Sequence, residues 1–203
     1  PVQKAYCTDR GFEACVLGQQ VLGGHGYVAE WGLEQNVRDA RIAQIYEGAN
    51  GVQALDLMGR KTVRSKGELL EILSGEMDEF VASQKDVDAM QSYLVAFEEC
   101  RGRLEEATAT VLARSSDDPN EVGAASYSYM ELMGLVLYCF MWQRILAAAL
   151  ADQNSESSDA NYTDALVKTG EFFLQRLLPR TESLLAEISS GAEFLMTMRA
   201  EQF

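Results

Sequence analysis

The sequence predicts an all-α protein built as an antiparallel helical bundle. Only three of its 203 residues are proline, at positions 1, 119 and 179, so long stretches contain no helix-breaking residue. Alanine, leucine, glutamate and methionine, which favour helices, are frequent. No stretch alternates apolar and polar residues as a half-buried strand does. Short loops between the periodic segments favour antiparallel neighbours.

Three helices are predicted in residues 1–63. Apolar side chains recur at helical spacing in the first two, at Phe12, Cys15, Val16, Leu33, Val37 and Ala40. Gly23 and Gly24 end the first helix, because glycine adopts the left-handed conformation of a helix cap without steric cost. Residues 46–51 interrupt the chain after the second helix, and a third is predicted over 52–58.

Four or five helices are predicted in residues 64–203. Two apolar stripes at helical spacing mark the first two of them. The first stripe is Leu70, Leu73, Met77 and Phe80, and the longer second stripe is Met90, Leu94, Phe97, Leu104, Thr108 and Val111. An acidic cap and a first-turn proline at 117–119 begin the next helix. Its apolar run over 132–142 predicts a place at the bundle centre. Residues 153–161 read as a polar linker, and two more helices flank Pro179.

The charge excludes several classes of partner. The net charge of −14 and the pI near 4.5 argue against a nucleic acid, whose phosphates need a basic footprint. The same charge argues against an anionic membrane surface. The longest apolar run, residues 132–142, is shorter than the roughly 18 residues of a spanning helix, so no membrane span is predicted.

Charge and glycine content change along the chain. Residues 1–63 carry 6 basic and 7 acidic residues and 9 of the 16 glycines, whereas residues 64–203 carry 11 basic and 24 acidic residues. This shift predicts two domains, one over each range, with the boundary near residues 64–67. The chain opens at Pro1 with helix-like sequence and no leading cap, so we expect it to begin within a longer protein.

The cysteines and the single histidine do not indicate a metal site. Four scattered cysteines show no CxxC spacing. They do not resemble a disulfide framework. The absence of such a framework favours a reducing, cytoplasmic location. His25 lies between glycines, and we expect it to be a solvent-facing or backbone-bonded loop residue rather than a catalytic one.

Three short blocks carry the chemical information in the first part of the chain. They are QVLGGHGY at 20–27, RDARI at 38–42 and QIYEG at 44–48. The glycine-rich block lets a ligand approach bare backbone amides. Glu47 places a carboxylate on a loop between two helices, a common location for functional residues.

These blocks resemble the carboxy-terminal signature of the acyl-CoA dehydrogenases, in the order and at the spacing of that family. The resemblance covers residues 1–63, which would complete the carboxy-terminal helical bundle of the catalytic part. Residues 64–203 resemble the additional carboxy-terminal helical domain of the longer members. The resemblance implies a flavoenzyme that oxidises a fatty acyl-CoA thioester to the 2,3-enoyl-CoA.

The resemblance assigns roles to individual residues. Glu47 falls where the family carries the catalytic base that removes the α-proton, and its backbone N–H would bind the thioester carbonyl. Gly48 would lie beside the bound thioester. A thioester α-proton is only weakly acidic, so the reaction needs both a base and stabilisation of the developing enolate.

The resemblance also implies FAD as cofactor. Gln20, Gly23 and Gly24 match positions that contact the adenosine diphosphate part of FAD, typically that of a neighbouring subunit, which implies a homo-oligomer. Ala49 stands where the family usually has a threonine whose hydroxyl helps to hold the flavin. An electron-transferring flavoprotein is the implied electron acceptor. The family's other domains hold most of the flavin, so the 203 residues alone are expected to bind FAD poorly and to lack activity.

The same residues also permit less specific interpretations. Glu47 can be a carboxylate that only favours the dipole of the following helix. Arg38 and Arg41 can be phosphate ligands, although ion pairs with Glu34 or Asp39 are the favoured expectation. The chain can also be a helical oligomerisation or interaction module without catalytic activity of its own.

Overall fold

A computed structural model describes residues 1–152 and 159–202, and these residues contain helices, turns and no strand. The all-α prediction is therefore confirmed. Its first part contains four helices, with a 3₁₀ turn at Ala29–Trp31 between the second and third and a wide π-helical continuation of the fourth over Asp56–Val63. The four helices are α1 (Val2–Val21), α2 (Gly24–Tyr27), α3 (Leu33–Ala43) and α4 (Asn50–Leu55).

In the described part of the remaining chain, six helices follow the turn at residues 64–67, where Lys66 and Gly67 both have positive φ. They are α5 (Glu68–Gln84), α6 (Gln91–Arg114), α7 (Asn120–Asp152), α8 (Ala160–Phe172, with a π-helical continuation to Leu177), α9 (Arg180–Ser189) and α10 (Glu193–Met196). The 3₁₀ turns Asp88–Met90 and Ala200–Gln202 complete the described elements.

Local sequence signals explain several of these boundaries. The Asp118 carboxylate accepts a hydrogen bond from the Asn120 N–H at 2.9 Å at the start of α7, as the acidic cap predicts. Asp159 caps α8 in the same way, accepting from the N–H groups of Asn161 and Tyr162. Most of the predicted linker at 153–161 lies outside the described residues.

Helix α7 forms the centre of the bundle, as its apolar run predicts. Tyr129, Leu132 and Val136 are fully buried there. The Phe140 ring stacks on Phe97 of α6, with ring centroids 5.7 Å apart, and meets Phe80 of α5 edge to face. These aromatic side chains are therefore core residues.

The same helix is long and apolar enough, by length and composition alone, to cross a membrane over Asn120–Ala151. In its most apolar window, 56% is buried inside the structure. The core helix of a bundle passes the same length and hydropathy test. These properties are therefore weak evidence for a span.

The two predicted segments contribute to one core. Ala5 and Tyr6 of α1 and Leu57 belong to the same buried cluster as Phe97 and Leu132. The predicted boundary at 64–67 coincides with the turn before α5. The division into two domains stays a prediction. Because the core is shared, α1 and α4 pack against α7 and are positioned by it.

Candidate active site

The Glu47 loop, defined as residues 44–50, joins α3 to α4. Glu47 has φ +53° and Gly48 has φ +81°. A non-glycine residue in this left-handed region is uncommon and costs free energy, so its surroundings must impose it. The Glu47 side chain is exposed. The loop thus presents a carboxylate to solvent, and its left-handed backbone conformation depends on contacts with the surrounding residues.

Hydrogen bonds within the loop and to α4 close the turn. The Asn50 N–H donates to the Gln44 carbonyl at 3.1 Å, and the Gln53 side-chain amide donates to the Glu47 carbonyl at 3.0 Å. A Cβ added at Gly48 would lie 3.1 Å from Gln53 Nε2. The positive φ and this contact both favour glycine beside the carboxylate.

Asn50 anchors the loop to α1. Its side chain is only 5% exposed. The amide nitrogen donates to the Ala5 carbonyl (3.1 Å), the Thr8 hydroxyl (2.9 Å) and the Asp9 carboxylate (2.7 Å), and the amide oxygen accepts from Lys4 Nζ (2.7 Å). The Asn50 side chain is thus committed to the protein interior and is not available to replace the hydroxyl that the neighbouring Ala49 lacks.

The sequence blocks gave no indication of Asp9 or of the anchoring role of Asn50, which could be considered only as a replacement for the hydroxyl that Ala49 lacks. Asp9 is 8% exposed although it is charged, and the sequence around it resembles an ordinary helix surface. A signal was nevertheless present, because Ala5, Thr8 and Asp9 follow helical spacing and two of them are small. Small residues on one face permit close approach of another element.

The glycine-rich block forms a separate patch at the other end of α1. Gln20, Gly23 and Gly24 are exposed, as a ligand contact requires. Gly23 has φ +56°, and a Cβ added at Gly23 or Gly24 would meet no atom within 4 Å. The backbone here is therefore unobstructed, and its contact with a ligand stays a prediction.

The structure does not bring the two patches together. The Glu47 loop is anchored at Asp9, whereas the glycine-rich block packs at Gln19. Because α1 is continuous and rises about 1.5 Å per residue, these anchors are about 15 Å apart along the helix. A single small ligand group cannot contact both.

Gly26 holds the glycine-rich block against α1. A Cβ added there would lie 2.1 Å from the Gln19 carbonyl oxygen, a backbone atom that cannot rotate away. We expect Gly26→Ala to displace the block and to lower the free energy of unfolding by about 1–3 kcal/mol. Gly24→Ala, which meets open space in the same block, is the control. Urea denaturation of both variants tests this, and equal midpoints would contradict it.

His25 is exposed, as expected, but it lies in the short helix α2 rather than in a loop. Its ring meets the Trp31 ring edge to face, with centroids 5.2 Å apart. Among the described residues, no group of three or more His, Cys, Asp or Glu side chains is placed to hold a metal ion.

Arg38 and Arg41 line a cleft of about 630 Å³ between α1 and α3. Within residues 1–152 and 159–202 neither forms an ion pair with Glu34 or Asp39, so the expected pairing is wrong. Arg41 instead donates to the Gln44 side chain at 2.8 Å. An exposed ion pair gains little against the side-chain entropy that it costs, which explains why the spacing alone does not produce one.

Comparisons with known proteins cover nearly the whole chain. Residues 1–61 match the family described as "Acyl-CoA dehydrogenase, C-terminal domain", and residues 73–199 match the family described as "Acetyl-CoA dehydrogenase C-terminal like". The Glu47 loop and the glycine-rich block lie in the first match.

Several curated relatives are similar over most of this chain. A 3-methylmercaptopropionyl-CoA dehydrogenase of Ruegeria pomeroyi is 32% identical over 97% of the chain and 34% of the relative. A broad-specificity linear acyl-CoA dehydrogenase of Mycobacterium tuberculosis is 28% identical over 88% of the chain and 31% of the relative. A butyryl-CoA dehydrogenase of Syntrophomonas wolfei is 25% identical over 100% of the chain and 34% of the relative.

The chain thus spans about a third of the length of these relatives. Both family matches fall on the helical bundle described above, and together they include α1 to α10 except for residues 68–72 at the start of α5. The chain therefore belongs to the acyl-CoA dehydrogenase family.

Proposed function

We propose that these 203 residues are the carboxy-terminal part of a flavin-dependent acyl-CoA dehydrogenase that oxidises a fatty acyl-CoA to the 2,3-enoyl-CoA, with Glu47 as the catalytic base. One observation carries the proposal. An exposed carboxylate is held in a left-handed loop by buried hydrogen bonds, within the segment that matches the family's C-terminal domain. Such a costly conformation at a polar surface indicates a functional constraint.

The loop offers two groups to a thioester. The Glu47 carboxylate would accept the α-proton of the acyl chain. The backbone N–H of Glu47 has no acceptor among the described residues, so it is available to bind the thioester carbonyl as enolate charge develops. Gly48, with no side chain, would let the thioester approach this N–H. When bound, FAD supplies the acceptor for the β-hydride.

The glycine-rich block fits part of a flavin nucleotide. The exposed Gln20 side chain supplies hydrogen-bonding groups, and Gly23 and Gly24 leave their backbone unobstructed. Ala49 supplies no hydroxyl, and with Asn50 committed elsewhere we expect the flavin to lose one hydrogen bond, worth about 0.5–1.5 kcal/mol.

Assembly as a homo-oligomer is part of the proposal. The separation of the two patches along α1 suits contacts to two different flavins, one of them belonging to a neighbouring subunit. Large apolar side chains in the glycine-rich block are strongly exposed: Val21 is 83% exposed and Tyr27 is 78% exposed. Coverage of these side chains by other parts of the assembled enzyme would remove that apolar area from water.

The proposed reaction implies two further partners, an acyl-CoA substrate and an electron-transferring flavoprotein as electron acceptor. We also propose a cytoplasmic location, on the ground that the cysteines do not resemble a disulfide framework. A net charge of −14 supports the absence of nucleic acid from this set.

We expect the isolated chain to bind FAD poorly and to reduce no flavin with acyl-CoA, because Gln20, Gly23, Gly24 and Ala49 offer few contacts. The measurement is a visible absorption spectrum of the chain mixed with FAD and passed through gel filtration. A colourless protein peak is expected. A stoichiometric flavin band would contradict the prediction and show that these helices form a sufficient site.

The exposed apolar side chains also favour a second candidate function, a helical oligomerisation or interaction module without catalysis. That function requires the apolar face but not the Glu47 carboxylate. Substitution of Glu47 therefore separates the two.

A further inference from the structure

Both ends of the Glu47 loop are fixed to one carboxylate oxygen. Asp9 Oδ1 accepts from Gln44 Nε2 at 2.6 Å and from Asn50 Nδ2 at 2.7 Å. Gln44 and Asn50 are the first and last residues of the loop, and their backbones are also joined by a hydrogen bond of 3.1 Å. A short loop whose two ends share one acceptor has few ways to rearrange.

The second oxygen of the same carboxylate is held from the other segment of the chain. Asp9 Oδ2 accepts a hydrogen bond from the hydroxyl of Tyr127 on α7, 118 residues away in sequence. Burial, with the hydrogen bond to Asp9, raises the pKa of Tyr127, so the hydroxyl remains a protonated donor around neutral pH. The helix at the bundle centre thereby contacts the group that anchors the loop.

We propose that Asp9, Asn50 and Tyr127 form a positioning clamp that holds Glu47 in its left-handed conformation, so that the 64–203 segment helps to place the catalytic base. The inference rests on the proposed function of Glu47. Hydrogen bonds to an ionised carboxylate are stronger than those between neutral groups, and Asp9 is 8% exposed, so water competes little for these bonds. Without the clamp, the loop is free to leave its left-handed backbone shape.

The clamp is a set of positioning residues rather than catalytic ones. Asp9 and Asn50 are buried, and Asp9 acts on Glu47 only through the ends of the loop. A purely structural role in packing α1 against α4 would change stability alone. A positioning role also changes the rate of the chemical step at unchanged substrate affinity.

Tyr127→Phe tests the clamp with the loss of a single hydroxyl. Tyr93→Phe is the matched control, because the Tyr93 hydroxyl likewise donates to a carboxylate, that of Glu171, at 3.2 Å between α6 and α8. In the 203-residue chain we measure amide hydrogen exchange of Tyr46 and Asn50, whose N–H groups are bonded to the Ile42 and Gln44 carbonyls. We expect exchange to become about tenfold faster in Tyr127→Phe and to stay unchanged in Tyr93→Phe.

The kinetic test uses the complete enzyme with an acyl-CoA substrate. We expect Tyr127→Phe to lower kcat by about tenfold with KM changed by less than about twofold, and Tyr93→Phe to change neither. Asp9→Asn, which keeps the shape of the side chain, is expected to lower kcat further. Unchanged exchange in Tyr127→Phe would overturn the clamp, and so would faster exchange with an unchanged kcat.

The outcome separates failure of the clamp from failure of the proposed function. If Glu47→Gln retains full turnover, Glu47 is not the base and the proposed function fails, whatever the exchange data show. If Glu47→Gln abolishes turnover and Tyr127→Phe behaves as Tyr93→Phe does, the base assignment stands and the clamp fails.

Discussion

Glu47→Gln is expected to reduce acyl-CoA dehydrogenation by the complete enzyme by about 10²–10⁴-fold, the usual contribution of a general base. The substitution keeps the size and the hydrogen-bonding oxygen of the side chain and removes only its ability to take a proton. The backbone N–H that would bind the thioester carbonyl is retained. We therefore expect KM to change little, and the flavin absorption band of the purified variant to match that of the unmodified enzyme.

Glu30→Gln provides a control of identical chemistry. Glu30 is an exposed carboxylate in the 3₁₀ turn before α3, and its substitution is expected to leave turnover unchanged. Steady-state kinetics and flavin content of the two variants are compared. Normal turnover in Glu47→Gln would contradict the assignment of the base and leave the interaction module as the better account of the chain.

Most helices are predictable from the sequence because the signals that define them are local. Apolar spacing gave the faces of α3, α5 and α6, and the glycine pair at 23–24 marks the end of α1. Nothing local predicted the π-helical segments Asp56–Val63 and Phe173–Leu177. Their wider turns depend on how the backbone packs against neighbouring helices, which is a tertiary property.

The site shows the same division. The three sequence blocks indicated Glu47 and the glycine-rich block, since their residue types and spacing are visible within a short stretch. The clamp was not predictable, because its carboxylate and its tyrosine donor are 118 residues apart and a lone Asp on a helix resembles a solvated residue. The prediction of ion pairs for Arg38 and Arg41 was wrong although the local signal was present. Favourable spacing does not ensure that an exposed ion pair forms.

Gly134→Ala is expected to lower the free energy of unfolding of the chain by about 1–3 kcal/mol, through overpacking at the contact of α1 with α7. A Cβ at position 134 would lie 2.4 Å from Cγ of Tyr6. That ring is 2% exposed and is fixed by an edge-to-face contact with Tyr138 at 5.0 Å and by the Arg10 guanidinium at 5.3 Å. The ring therefore cannot move aside cheaply.

Gly123→Ala on the same helix is the control for this experiment, because a Cβ there meets no atom within 4 Å. We expect it to be neutral or to stabilise the chain by up to about 1 kcal/mol, since alanine loses less backbone entropy than glycine in a helix. Chemical denaturation followed by circular dichroism gives both values. Equal midpoints for Gly134→Ala and Gly123→Ala would contradict the close contact.

A double-mutant cycle assigns the cost of Gly134→Ala to Tyr6 itself. With the ring removed in Tyr6→Ala, we expect Gly134→Ala to lower the free energy of unfolding by less than about 0.5 kcal/mol. The difference between this cost and the cost of Gly134→Ala in the unmodified chain is the coupling energy, which is about 0.5–3 kcal/mol for residues in contact. Tyr6 lies on the helix that also carries Asp9, and Gly134 lies on the helix that carries Tyr127. A coupling of the expected size would therefore establish that the interface beside the Glu47 loop depends on close approach of α1 and α7.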